Sequence, residues 1–408
     1  MKPRTLKKAL LKAIKTFPAI VVTGPRQSGK TTLLKMLFKK THNFVTLEDP
    51  DIRLRAQEDP RAFLENYQAP IIFDEIQYVP ELLPYIKTKI DENRKAGQWL
   101  FTGSQNFSLM NNISESLAGR IAVFNLLPFS FSEYLGLGNS TLSIELLLNQ
   151  IKINHASTPL KLDVADLILR GNYPEIVSNQ SIDRQIWCSS YIATYIERDV
   201  RSILQVSNFT QFERFVKTIA VRTGSILNIS MIAKDLGIST QTIKRWLSVL
   251  ETAHIVYLLY PYYKNIGKRL IKSPKIYFCD TALASYLLGI NNKETLINNP
   301  CFGNLFETYI ISDFYKRFLH FGNKPTMYYL RTRDGLEIDL VIENNQKLHL
   351  FEIKSGMTIT TKHAQPLFHL KNDLEDQIET AMVLSNTSEN CLLKKEINSY
   401  NWMHILGL

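Results

Sequence analysis

The sequence predicts a multidomain α/β protein: a parallel-sheet domain first, a helical middle section, and a second α/β domain toward the C-terminal end. Three observations carry this expectation. A short apolar run, Ala19 to Val22, leads into a glycine-containing loop and then a helical pattern, Leu33 to Phe38, the order of a strand, a turn and a crossover helix. A second apolar run, Ile71 to Phe73, ends in two carboxylates, Asp74 and Glu75. A parallel strand buried on both faces reads this way when its end opens into a crevice. Farther on, Leu336 to Glu343 and Lys347 to Lys354 flank Asn344 and Asn345, which is a hairpin signal. At 408 residues the chain exceeds what one core serves, so two or three domains are expected.

Composition narrows the classes. Hydrophobic residues make up 45% and charged residues 21%, as in folded globular proteins. The net charge of +10 favours a polyanionic partner. The stretch Met1 to Lys15 is amphipathic, with Leu6, Leu10, Leu11 and Ile14 at helical spacing, and Lys7, Lys8 and Lys12 interrupt any signal-peptide core. No run approaches the length of a membrane span. Cys188, Cys279, Cys301 and Cys391 form no C-x-x-C pair, so reduced thiols and a cytoplasmic location are expected, with no membrane partner. The eight histidines are scattered and suggest no zinc site.

In chain order, Gly24-Pro25-Arg26-Gln27-Ser28-Gly29-Lys30-Thr31-Thr32 comes first. It satisfies G-x-x-x-x-G-K-[ST] between a strand and a helix, the phosphate-binding loop of Walker A type. The glycines let backbone N–H groups converge on a polyphosphate, and the helix adds its positive end. Lys30 is expected on the β and γ phosphates of ATP and the Thr31 hydroxyl on Mg2+. Phe44 to Leu47 reads as a second strand and Asp51 to Tyr67 as short charged helices. In Asp74-Glu75, the Walker B position, Asp74 would bind the magnesium and Glu75 would polarise the attacking water. Gln98 to Gly103 is a further strand; Ser104 or Gln105 after it either touches the γ phosphate or caps the next helix. Arg120, before the strand Ile121 to Leu126, is either a surface ion-pair partner or an arginine finger acting on a neighbouring subunit of a homo-oligomer. The nucleotide domain is placed at residues 1–137.

These residues carry a resemblance. Residues 24–32, Asp74 to Gln77, Thr102 to Gln105, Leu117 to Arg120 and Leu127 to Tyr134 resemble the large prokaryotic family of AAA-type ATPases with a C-terminal domain of unknown function. Gly171-Asn172-Tyr173-Pro174-Glu175 and Tyr195 to Val200 are similar to that family's middle-region signatures, so the likeness covers nearly the whole chain. Asn172 departs from the glycine common there. The resemblance implies ATP binding and hydrolysis.

Leu137 to Pro159 reads as a loop, with Gly136, Gly138, Asn139 and Ser140 as breakers. Residues 160–220 read as a helical lid, from which Arg170, Arg198 or Arg201 would reach the phosphates or else lie on the surface. Residues 221–280 read as a winged helix-turn-helix: Ala233, Gly237 and Ile243 have the required spacing. Thr240, Gln241, Lys244 and Arg245 would face outward, and Val256 to Tyr263 with Lys268 to Phe278 would form the wing. Contact with double-stranded DNA and use as a protein-packing module are both open.

Residues 281–408 form the last predicted domain. Gly303 to Glu307 opens an amphipathic helix, and Met327 to Leu330 is a strand. Alternation puts Glu337, Asp339 and Val341 on one face of the hairpin and Ile338, Leu340 and Ile342 on the other. Asp339 and Glu352 then project together as direct or diagonal neighbours. Carboxylates this close repel unless a cation joins them, and hard oxygens suit Mg2+ or Mn2+. Asp339, Glu352 and Lys354, with Glu307 on the preceding helix, resemble the restriction-endonuclease-like fold, in which the carboxylates hold metal and the lysine activates water. The resemblance fits metal-dependent nuclease activity or a scaffold without it. Two functions are therefore carried forward: an ATPase that couples hydrolysis to action on nucleic acid, and an ATP-driven switch whose appended domains bind protein partners.

Overall fold

A computed structural model describes residues 2–104, 113, 115–153, 162–196, 209–262, 273–332, 335–373 and 377–408. The first sheet contains β1 (Ala19–Gly24), β2 (Asn43–Thr46), β3 (Ile71–Asp74), β4 (Trp99–Ser104) and β5 (Ile121–Asn125). They run parallel in the order β2-β3-β4-β1-β5. Every residue of β1 is buried, because helices cover both faces. Val21 packs into one apolar cluster with Phe73 and Phe101, while Ile20 and Val22 pack into another with Leu100, the alternation of a pleated strand. Around the sheet lie α1 (Leu6–Ala13), α2 (Lys30–Phe38), α3 (Pro50–Glu58), α4 (Pro60–Asn66) and α5 (Leu82–Glu92). Asp49 and Asp59 start α3 and α4: each carboxylate accepts two backbone N–H bonds and a proline follows, which satisfies orphan donors and presets φ.

The middle section is helical. It contains α6 (Phe131–Tyr134), α7 (Ile144–Ile153), α8 (Val164–Arg170), α9 (Pro174–Ser178), α10 (Arg184–Tyr191) running into a π-helical turn (Ile192–Ile196), and α11 (Phe209–Val221). Helix α7 corrects the loop expected over Leu137 to Pro159. Ile144, Leu147, Leu148 and Ile151 are buried at three and four spacing, and apolar burial outweighs the breakers just upstream. Next come α12 (Ile229–Leu236) and α13 (Thr240–Thr252), joined through Gly237 at φ +66. They pack beside a small antiparallel sheet of β6 (Ser225–Ile226), β7 (Val256–Leu259) and β8 (Lys275–Phe278), in the order β6-β8-β7. The tip of the predicted wing lies outside the described residues.

The C-terminal section contains α14 (Thr281–Leu287), α15 (Lys293–Ile297) and α16 (Phe302–His320), then a six-stranded mixed sheet. The strands β9 (Met327–Arg331), β10 (Glu337–Asn344), β11 (Lys347–Lys354), β12 (Ile378–Ser385), β13 (Cys391–Lys394) and β14 (Ile397–Asn401) lie in the order β13-β14-β12-β11-β10-β9. Helices α17 (Gln365–Asp373) and α18 (Trp402–Gly407) complete it. Two expectations need correction. Helix α16 is not amphipathic: apolar Phe306, Ile310 and Phe314 are buried, and so are Asp313, Lys316, Arg317 and His320. The hairpin turn is Asn345–Gln346, both at positive φ, and a bulge against β9 places Ile338 in the same cluster as Val341, so simple alternation fails there.

Candidate nucleotide site and a buried charge cluster

The loop between β1 and α2 has the conformation its glycines permit. Gly24 has φ +144, and a Cβ on it would meet the Leu126 carbonyl oxygen at 2.2 Å. Gly29 has φ +94 and caps α2, while Gln27 and Glu75 hold φ near +59 and +57 without that freedom, a cost that clusters at functional sites. Lys30 Nζ donates to the carbonyl oxygens of Gly24 and Pro25 at 3.0 and 2.9 Å. Its ammonium thus lies inside the curl of the loop.

Thr31 Oγ1 donates to Asp74 Oδ1 at 2.7 Å. The hydroxyl expected on magnesium and the carboxylate expected beside it are therefore adjacent. These hard oxygen donors suit that ion, and Thr31 with Asp74 are the residues that would hold it. Thr102 was not singled out in the sequence as a site residue. Its hydroxyl donates to Asp74 Oδ1 at 2.5 Å and accepts the Glu75 N–H at 3.0 Å. A lone hydroxyl residue among Leu100, Phe101 and Gly103 in a buried strand was the available signal. Glu75 is further held by a hydrogen bond from the Gln77 amide. The backbone of Ser104 pairs with Gly24 at the end of β4; Gln105 lies outside the described residues.

A cavity of about 700 Å³ opens over the loop. Arg26, Lys30 and Thr31 line one wall; Glu175, Asp183 and Trp187 of the helical section line the other. Trp187 Nε1 donates to Glu175 Oε2 at 2.9 Å, and the Trp187 ring stacks 5.0 Å from Tyr191. Pro25, Ser28 and Thr32 complete the predicted loop, with the Ser28 side chain fully buried.

Of its two expected roles, Arg120 shows the ion-pair one within this chain. Arg120 sits before β5, at the end of the parallel sheet opposite Gly24, and its guanidinium pairs with Asp91 at 2.6 and 3.0 Å. It is a partner of α5 and not a group facing the phosphates of this chain. Arg170 donates to the Ile176 carbonyl at 2.8 Å, within its own helical layer. Arg198 and Arg201 lie outside the described residues. On α13, Thr240, Gln241, Lys244 and Arg245 are all exposed.

The C-terminal carboxylates do come together. Asp339 and Glu352 lie just beyond Leu340 and Phe351, the last paired residues of the β10–β11 ladder. Lys354 Nζ lies 2.6 Å from Glu352 and 3.4 Å from Asp339. The surprise is Lys275 of β8, only 3% exposed, whose ammonium lies 3.1 Å from Glu307, 2.7 Å from Glu337 and 3.7 Å from Asp339. Tyr277 also donates to Glu307 at 2.5 Å. Burial, then the neighbouring Asp339, pushes Glu307 up to about 7 and Glu352 up to about 8. Among the described residues no group of three or more His, Cys, Asp and Glu is arranged to hold a metal ion. In this structure the cations beside Glu307, Asp339 and Glu352, the residues expected to hold a metal, are the ammonium groups of Lys275 and Lys354. Sequence reasoning put Glu337 on the Asp339 face but missed Lys275, because nothing local ties β8 to α16 or β10.

Comparisons with known proteins match three stretches of the chain. Residues 16–135 match the AAA domain family; residues 161–294 and 302–404 match two domains of unknown function, DUF8612 and DUF4143. The proteins called Uncharacterized protein Mb2031c, of Mycobacterium bovis, and Uncharacterized protein Rv2008c, of Mycobacterium tuberculosis, are each 29% identical over 351 residues, 86% of this chain and 73% of theirs. The Walker-type ATPase paby2304 of Pyrococcus abyssi aligns at 14% identity over 71% of this chain and 99% of that one, with a TM-score of 0.44. A RuvB variant of Thermotoga maritima aligns at 17% identity over 62% and 88%, with a TM-score of 0.32. No helix among the described residues is long and apolar enough to cross a membrane. With its loop, its Thr31–Asp74 contact and its family match, the first part of this chain is an AAA-type P-loop ATPase domain.

Proposed function

We propose that the protein is a magnesium-dependent ATP hydrolase whose turnover acts on double-stranded nucleic acid. The hydrolytic part rests on Lys30, Thr31 and Glu75 lining one cavity, with Asp74 hydrogen-bonded to Thr31 behind it. Lys30 exchanges its carbonyl partners for the β and γ phosphates, Thr31 and Asp74 hold the cation, and Glu75, oriented by Thr102 and Gln77, takes the proton of the attacking water. Magnesium, when bound, supplies neutralisation of the charge on the transferring phosphoryl group. The observation that carries the nucleic-acid part is the exposed row Thr240, Gln241, Lys244 and Arg245 on α13. It sits on the second helix of a helix-turn-helix pair backed by a small sheet, a winged-helix arrangement that suits a major groove.

The test is the ATPase rate with and without duplex DNA. Wild type is expected to be stimulated and Lys30→Ala to be inactive in both conditions. Lys244→Glu with Arg245→Glu should keep the basal rate and lose the stimulation. A basal rate that DNA leaves unchanged would move the assignment to protein partners.

Lys275 favours a second reading for the C-terminal section. Its ammonium among Glu307, Glu337 and Asp339 supports a restriction-endonuclease-like fold used as scaffold, in an ATP-driven switch without nuclease activity. DNA and RNA incubated with Mn2+ should stay intact; cleavage by wild type that Asp339→Ala abolishes would restore the nuclease reading.

A further inference from the structure

Arg4 lies before the residues matched by the AAA family, which begin at 16, yet it is built into the phosphate loop. It is 5% exposed. Its Nη1 donates to the Ser28 carbonyl oxygen at 2.9 Å and its Nη2 to the Leu127 carbonyl at 2.5 Å. Its Nε lies 3.3 Å from Glu133 Oε1. Glu133 is fully buried. It accepts the backbone N–H groups of Thr5 and Ser130 at 2.7 and 3.0 Å and lies 3.3 Å from His320 Nδ1 at the end of α16. Burial opposes its charge, but Arg4 and His320 outweigh that and hold the carboxyl well below the usual range. His320 Nε2 in turn accepts the Leu127 N–H at 3.2 Å.

Ser28 is flanked by Gln27 and Gly29, both at positive φ, so the Ser28–Gly29 peptide plane is set by its partners more than by local preference. In a trans peptide the C=O and N–H point in opposite directions. A guanidinium holding the Ser28 oxygen on one side therefore aims the Gly29 N–H to the other, into the cradle where phosphate oxygens are received. A lysine could not do the same. Its single ammonium lacks the planar fork that reaches Ser28, Leu127 and Glu133 together.

We propose that Arg4 is a positioning residue of the nucleotide site, which fixes the Ser28–Gly29 peptide and is itself fixed by Glu133 and His320. It touches no phosphate and acts through the loop backbone.

The difficulty for a test is that Arg4→Met alone strands a buried carboxylate and lowers stability whatever Arg4 does for the loop. The double variant Arg4→Met with Glu133→Gln removes that stranded charge. Two quantities are measured on the full chain: amide hydrogen exchange of residues 26–30 without nucleotide, and the dissociation constant for Mg-ATP by calorimetry. The double variant should unfold at nearly the urea concentration of Glu133→Gln alone. Its loop amides should exchange at least tenfold faster than those of Glu133→Gln, and it should bind Mg-ATP at least tenfold more weakly. Arg4→Lys should fall between wild type and Arg4→Met in affinity. Exchange in the double variant no faster than in Glu133→Gln overturns the proposal, and so does equal affinity. The exchange arm reads Arg4 without reference to ATP, so a wild type that bound no Mg-ATP would strike the nucleotide assignment and leave this measurement decisive for Arg4.

Discussion

Lys275 of β8 lies 3.1 Å from Glu307 of α16, an ion pair with side chains only 4% and 13% exposed. It fastens the small antiparallel sheet to the central helix of the C-terminal section. Because burial disfavours both charges, neither partner tolerates loss of the other. Lys275→Met should cost about 3–5 kcal/mol, and adding Glu307→Gln should recover part of it. The loss should be larger at pH 8.5 than at pH 6. Glu307 already sits near 7, and without its lysine it takes up a proton at the lower pH and sheds the buried charge. Urea midpoints at the two pH values check this, and a Lys275→Met midpoint equal to wild type at both would refute it.

Thr102 joins the two carboxylates of the hydrolytic site. Valine at that position keeps the shape and removes the hydroxyl that donates to Asp74 and accepts from the Glu75 N–H. Thr102→Val should lower kcat by roughly tenfold or more, with KM for ATP nearly unchanged, because the lost hydrogen bonds orient groups needed in the transition state. The stability cost should be about 1–3 kcal/mol. Steady-state kinetics at saturating magnesium decide it; a raised KM with kcat intact would place Thr102 in ground-state binding instead.

What the sequence disclosed and what it hid divide along one physical line. The phosphate loop is contiguous, so Gly24 to Thr32 carries its own geometry and was legible. Asp74 and Glu75 were legible because a strand that must be apolar has few reasons to end in two acids. The nearness of Asp339 to Glu352 followed from hairpin register. Arg4, Thr102 and Lys275 act across the fold, from elements far away in sequence, and no spacing rule links them to their partners. The acidic cluster shows the limit most clearly: closeness of carboxylates implied a cation, but not that Lys275, remote in sequence, would stand among them. Helix α7 was hidden by the breakers just before it, and α16 was misread because its buried charges look like a solvent face until Glu133, Asp280 and Leu406 are folded against them.

His254 is 6% exposed and lies close enough to Lys30 to feel its charge. Burial first, then Lys30, lowers its pKa from 6.5 to about 4. The folded state holds it neutral while the unfolded chain takes up a proton, so its contribution is complete above about pH 6.5 and is lost as pH falls from there toward 4. The full effect is about 3 kcal/mol. His254→Asn keeps a residue that tolerates the φ of +52 and removes the titration. Urea unfolding from pH 7 to pH 5 should show wild type losing stability relative to the variant as pH falls, the opposing rise from the buried Glu307 and Glu352 being common to both. Glu133 does not blur this window, since its depressed value matters only below the ordinary glutamate range. Parallel slopes would show that His254 stays solvated in the fold.

Gly24 and Gly29 both hold positive φ in the phosphate loop, but for different reasons, and alanine separates them. At Gly29 the nearest atom to an added Cβ is Arg4 Nη1 at 3.8 Å, so Gly29→Ala meets conformational strain alone, about 1–2 kcal/mol. At Gly24 the Cβ would stand 2.2 Å from the Leu126 carbonyl oxygen, a backbone atom fixed by its place just after β5. The two strands must separate or the loop must leave its curl. Gly29→Ala is therefore expected to fold and to bind Mg-ATP roughly tenfold or so more weakly, in line with that strain. Gly24→Ala should unfold at a lower urea concentration than Gly29→Ala and give no measurable heat with Mg-ATP. Equal stability and equal affinity for the two variants would mean that β1 and the Leu126 backbone do not make the close approach on which the shape of the loop depends.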